Sequence, residues 1–214
     1  MPSEPAPPKR RHSAGEATRV LLIEAAERLF ATRGIDGVTL AQIQLAAGQS
    51  NSSVIGYHFG SKDGLVQAIL DHRQPVLEAQ REQLLADLQP DGGELDVRGA
   101  VWLMVRPFAT SIREGQMFVP FLARLSDDPE QRLRLGKAGP SGVSSLDGVE
   151  QYVEAALTDL PDRVRRGRVF MLYNSVLNLL GERARSFHDV TEAQLQIYVD
   201  GWVGMLEAPV SHPG

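Results

Sequence analysis

The stretch Asn51–Lys62 reads Asn-Ser-Ser-Val-Ile-Gly-Tyr-His-Phe-Gly-Ser-Lys. Its residue types suit three kinds of chemistry. His58, between Tyr57 and Phe59, has the imidazole of a base or a metal ligand. Ser52 and Ser53 have hydroxyls that cap a helix or hydrogen-bond a partner. A narrow polar helix face with one long phenol also suits a surface made to touch something. The first of these finds no support elsewhere. His12 and His212 stand in the tails, and Asp71-His72 and His188-Asp189 are adjacent pairs whose members point to different faces of a helix. No histidine pair has metal-ligand spacing, no glycine-rich loop follows a strand, and no Gly-x-Ser-x-Gly elbow occurs. With no cysteine there is no thiolate nucleophile, Cys-based zinc site or disulfide framework. The expectation is a chain that is not an enzyme and holds no metal or cofactor.

The 214 residues suffice for one large domain or two small ones. No stretch approaches the roughly 18 apolar residues of a membrane span, and no apolar run follows the basic N-terminal residues as it would in a signal peptide. A cytoplasmic protein is expected. The net charge of −5 is unevenly spread. Residues 1–73 carry eight Lys and Arg against seven Asp and Glu, and residues 74–214 carry fourteen against twenty. A weakly positive head on an acidic body is what a local nucleic-acid contact would leave in a sequence, although chance variation in surface charge leaves the same mark.

The elements that must position the Asn51–Lys62 stretch read as helices. Residues 1–15, with four prolines before Lys9-Arg10-Arg11, read as a flexible basic arm. An amphipathic helix follows from near Glu16, with Leu22, Ala26, Leu29 and Phe30 on one side, and Gly34 ends it. Thr39 and Gln42 form a capping box for a two-turn helix that Gly48 closes. Asn51 is a good N-cap for a short helix through about His58, and Ser61 for a fourth. Pro75 is expected to kink or restart that fourth helix. Further helices are expected near 94–114, 117–126, 128–137, 145–158, 163–186 and 191–207, the last opened by a capping box of Thr191 and Gln194. Lys137 to Gly148 is the clearest loop. The reading is all-α. Three short N-terminal helices, the second and third joined by a tight turn, make a helix-turn-helix unit.

Thr18-Arg19, Ala25-Ala26, Leu29-Phe30, Gly34, Val38-Thr39, Ile43, Ala47-Gly48 and Tyr57-His58-Phe59, followed by Ser61-Lys62 and Leu65, together resemble the N-terminal DNA-binding domain of the TetR family of bacterial transcriptional regulators. The likeness covers about residues 16–70. It implies a helix-turn-helix DNA-binding domain over 16–62, a helical ligand-binding and dimerisation domain over 63–208, and a tail over 209–214. There are two departures. The turn before the aromatic run is one residue longer than is usual in the family, and Gly56 stands where the family often has tyrosine. Glycine weakens that turn of helix by about 1 kcal/mol.

The candidate DNA-binding residues are Thr39, Gln42, Asn51, Ser52, Ser53, Val54, Tyr57, His58 and Lys62. Small side chains at 52–54 let a helix enter a major groove about 12 Å wide, where serines meet several bases and a valine can touch a thymine methyl. Tyr57 is long enough to reach a phosphate, or else it is plain core. Lys62 would add charge at the start of the next helix. Thr39 and Gln42 would hold the backbone from the other side. His58 is expected to pack or bond at the helix end, and Phe59 to pin the third helix on the first.

A single helix-turn-helix makes few contacts, so such units work as dimers on two half-sites. Leu172, Val176 and Leu179 in helix 163–186, with the seam Leu195, Val199, Trp202 and Leu206, are the expected dimerisation surface, forming a four-helix bundle between subunits. The alternative is that they close one chain's own core. Trp102, Val105, Phe108, Phe118, Phe121 and Leu122 would line an inducer pocket in which Arg106 or Arg124 orients an acidic group, or would be ordinary core. The expected function is a dimeric repressor that a small molecule releases from an inverted-repeat operator in double-stranded DNA. The alternatives are a helix-turn-helix DNA binder without a small ligand and, third, a helical enzyme with a vestigial head.

Overall fold

The computed structural model describes residues 9–51, 53–89, 92–127, 147–186 and 190–211. Ser52, the expected helix over 128–137, nearly all of the Lys137–Gly148 loop and His188 lie outside them. Every described element is helical: α1 (Lys9–Arg33), α2 (Leu40–Ala46), α3 (Val54–Phe59), α4 (Lys62–Leu88), α5 (Val97–Arg113), α6 (Phe118–Ser126), α7 (Asp147–Ala155), α8 (Asp162–Arg185) and α9 (Glu192–Glu207).

The caps largely follow the sequence. Thr39 accepts from the Gln42 amide while the Gln42 side chain accepts from the Thr39 amide, and Thr191 and Gln194 repeat the arrangement. Ser61 accepts from the Gly64 amide. Gly34 and Gly48 take left-handed φ of 76° and 68°, which ends α1 and turns the chain between α2 and α3. Three boundaries differ. The α1 helix begins at Lys9, so the basic triplet opens a helix instead of lying in an arm. The α3 helix begins at Val54, three residues after its expected cap. The α4 helix runs through Pro75 as one element. The ring removes one i→i−4 bond there, but the long packed face on α1 and α5 holds the helix together.

Phe30 of α1 stacks on Phe121 of α6 at 6.3 Å, and both are fully buried. The α6 helix lies close on α8 because Gly181 has no side chain: a Cβ there would stand 3.2 Å from the Ala123 Cβ. These contacts make one apolar core running from the N-terminal helices into the body.

Candidate nucleic-acid interface

The surface is built on α2, its turn and α3. Val54 and Ile55 point inward and anchor α3. Arg19 of α1 stacks over the Phe59 ring at 5.6 Å, so Phe59 pins α3 to α1 as expected, although half-buried. Two glutamines lace the turn: Gln44 Nε2 donates to the Gln49 carbonyl and Gln49 Nε2 to the Ala47 carbonyl, each at 3.1 Å. The sequence reading missed both. Amides spaced to reach backbone carbonyls within one turn were the available signal. Asn51 still organises the start of α3, because its Oδ1 accepts from the Ser53 amide at 3.0 Å.

What remains outward is a polar strip with one aromatic. Thr39, Gln42, Asn51 and Ser53 are exposed, and Tyr57 is 85% exposed. No neighbour stands within 4 Å of where a Cβ on Gly56 would be, so a partner can approach the α3 backbone closely there. His58 is half-buried, edge-on to Tyr57 at 5.0 Å. Thr39 and Gln42 each commit an oxygen to the cap, but the threonine hydroxyl and glutamine amide hydrogens remain as donors.

One expected contact is corrected, and Lys62 has a second task beside the one expected of it. Val54 is 8% exposed and belongs to the core, because α3 begins at that residue and turns it inward. Lys62 is half-buried and donates from Nζ to the Ile35 carbonyl at 2.8 Å, tying α4 to the α1–α2 loop.

A buried node connects this surface to the body. Glu27 of α1 accepts from Arg73 Nε at 2.7 Å and Nη2 at 3.0 Å, and from the Met117 amide just before α6 at 3.0 Å. Burial, then the neighbouring Arg73, lowers the His72 pKa below its ordinary value, so that imidazole stays neutral beside the node at pH 7.

Most of the expected inducer pocket is filled. Trp102, Val105, Phe108, Phe118, Phe121 and Leu122 are core residues packed on one another. Arg106 of that set lines an open groove, and it does not wait for an acid. Glu192 holds both its terminal nitrogens at 2.7 Å. Hydrogen bonding from Arg106 in turn holds the Glu192 carboxyl below the usual range. The expected dimer seam is also internal. Leu172, Val176, Leu195, Val199, Trp202 and Leu206 are buried within the chain, and Trp202 Nε1 donates to Ser175 Oγ at 2.8 Å. Only Leu179 of that set is exposed. Paired helices α8 and α9 bury their most apolar faces against each other and against the body.

Among the described residues no group of three or more His, Asp or Glu is placed to hold a metal ion, and no helix is long and apolar enough to cross a membrane. Residues 22–69 match the family model described as bacterial regulatory proteins, tetR family. The HTH-type transcriptional regulator TtgR of Pseudomonas putida is 43% identical over 63 residues, which is 29% of this chain and 30% of that protein. The HTH-type transcriptional repressor Rv3405c of Mycobacterium tuberculosis is 37% identical over 73 residues, 34% of this chain and 38% of that one. The matches thus span only about a third of these relatives' lengths. The body is related by fold alone. A bacterial regulatory protein in the tetR family from Rhodococcus RHA1 aligns over 90% of this chain and 98% of its own, with a TM-score of 0.57 at 16% identity. The capped α2, its laced turn and α3 thus lie within the residues that match the tetR-family model of bacterial regulatory proteins, and the all-helical chain shares the fold of a solved member of that family.

Proposed function

We propose that the protein is a DNA-binding transcriptional regulator, and that it acts as a homodimeric repressor released from its operator by a small molecule. The observation that carries the reading is the outward strip of α2 and α3, with Tyr57 held out from a helix whose inner face is fixed in the core. Each head, residues 16–62, places α3 in a major groove. Tyr57 and Thr39 meet phosphates, and Asn51 and Ser53 face base edges. Gln42 supports the backbone contact and His58 braces Tyr57. The body, residues 63–208, pairs two copies and takes the ligand. It binds, in the cytoplasm, and catalyses nothing.

The test is fluorescence anisotropy on the DNA flanking the protein's own gene, against scrambled DNA, over a range of salt. Specific binding is expected to exceed non-specific binding by about 10³-fold or more and to weaken as salt rises. Sequence-blind binding at every site would sink the repressor reading.

Removing the Tyr57 hydroxyl isolates the phosphate contact. Tyr57→Phe is expected to weaken operator binding about tenfold or more, the value of a hydrogen bond to a charged acceptor. Thermal unfolding should not move, because the side chain stands in solvent. Unchanged affinity in the same anisotropy assay would remove Tyr57 from the interface.

A further inference from the structure

An open groove of 680 Å³ runs between α4 and α5. That volume lies in the range of small-molecule sites. Pro75, Val76, Ala79 and Leu84 of α4 face Pro107 of α5 across it. We propose that this groove binds a largely apolar small molecule, neutral or singly cationic, that carries at least one N–H or O–H donor.

The polar groups of the lining set the class. Its one cationic side chain is already paired, and its one hydroxyl donates to a backbone carbonyl. Arg106 is held by Glu192 and stacks on Trp102 with its Cζ 4.3 Å from the ring centre. The Thr110 hydroxyl donates to the Arg106 carbonyl at 3.0 Å. Two of its side-chain acceptors lack a cationic partner. Gln80 Oε1 is buried with no hydrogen-bond partner among the described residues. Asp87 accepts only from Gln83, and no cation among the described residues pairs with it. An anion would face the Asp87 carboxylate and have to displace Glu192 from Arg106. A donor-bearing neutral or cationic molecule meets neither obstacle. This reverses the expectation that Arg106 receives an acid.

The proposal deepens the reading of a ligand-released regulator and rests on it only for the consequence at DNA. Occupancy would act on α4, whose N-terminal half carries Lys62 and Arg73, two polar side chains that tie it to the α1–α2 loop and to α1.

The experiment uses two fluorescent probes with one arylamine framework. N-phenyl-1-naphthylamine is neutral with an N–H, and 8-anilinonaphthalene-1-sulfonate adds a fixed negative charge. Saturable one-to-one binding of the neutral probe is expected, at least about tenfold tighter than the anion, because the anion must be desolvated beside an unpaired carboxylate. Asp87→Asn should narrow that difference. Ala79→Trp, or Gln83→Trp on the same exposed wall, should cut neutral-probe affinity at least about tenfold by filling the groove, with the melting temperature unchanged. Equal or tighter binding of the anion overturns the proposal, as does neutral-probe binding indifferent to both tryptophans or no saturable binding to the folded protein. Specific DNA binding without probe binding overturns the groove and leaves the regulator standing. Probe binding blocked by either tryptophan but without effect on DNA supports the groove and overturns ligand release.

Discussion

Replacing Glu27 by alanine is expected to cost about 3–5 kcal/mol of folding stability, measured as a shift of the urea unfolding midpoint at unchanged slope. The carboxylate is 2% exposed as a residue and carries three hydrogen bonds, two from Arg73 and one from the Met117 amide. Alanine removes all three at once. It leaves the Arg73 guanidinium, whose side chain is only 13% exposed, without its counter-ion, and leaves a backbone donor unmet. The penalty comes mainly from that stranded charge, because a buried pair gains little net energy over a well-packed apolar pair. The companion variant therefore decides the cause. Glu27→Leu with Arg73→Met should recover most of the loss, to within about 1–2 kcal/mol of the wild type. If Glu27→Ala alone costs under about 1 kcal/mol, water reaches the pair and the node does not hold α1, α4 and the start of α6 together.

That node also marks where the sequence became hard to read. Local features were legible because their physics is local. Thr39 with Gln42, Thr191 with Gln194, Ser61, and the glycines at 34 and 48 each act within four residues. The fold class and the helix-turn-helix followed from them. Glu27 stands 46 residues from Arg73 and 90 from Met117, and nothing in that spacing announces that the three meet.

The candidate site was half legible for a related reason. A side chain's type states what it can do, while its direction depends on where the helix begins. The α3 helix starts at Val54 and not after Asn51, so Val54 turns to the core and Tyr57 to solvent. Lys62 is cationic and near the right place, and the Ile35 carbonyl takes one of the three donors of its Nζ, a tie the sequence did not announce. In the body, apolar periodicity identifies a buried face without saying whether the neighbour is the same chain or another. Trp102 and Phe121, or Leu195 and Leu206, read equally as pocket, interface or core. Pro75 carried the opposite lesson: it breaks one bond, but packing on α1 and α5 is enough to continue the helix.

Those buried seams shift the dimer prediction to the other sides of α8 and α9. Phe170, Met171, Leu179 and Ile197 are large, apolar and outward, with Ile197 67% exposed. Gly201 and Gly204 follow on α9 in mid-helix, and at neither would a Cβ meet a neighbour within 4 Å. A mid-helix glycine costs about 1 kcal/mol relative to alanine, and nothing among the described residues requires either one. A second copy approaching along α9 would give both a use, since bare backbone admits close helix contact. Ile197→Asp is accordingly expected to give a folded monomer in sedimentation, with unchanged circular dichroism because the residue lies outside the core. Operator affinity should fall by about 10²–10⁴-fold, the loss expected when two linked half-site contacts become one. The monomer's remaining binding should depend less steeply on salt, as fewer phosphates are met. Should Ile197→Asp sediment as a dimer and bind operator like the wild type, the copies must pair elsewhere. Should it be monomeric yet bind with full affinity, one head suffices, and the inverted-repeat operator falls with the dimer requirement.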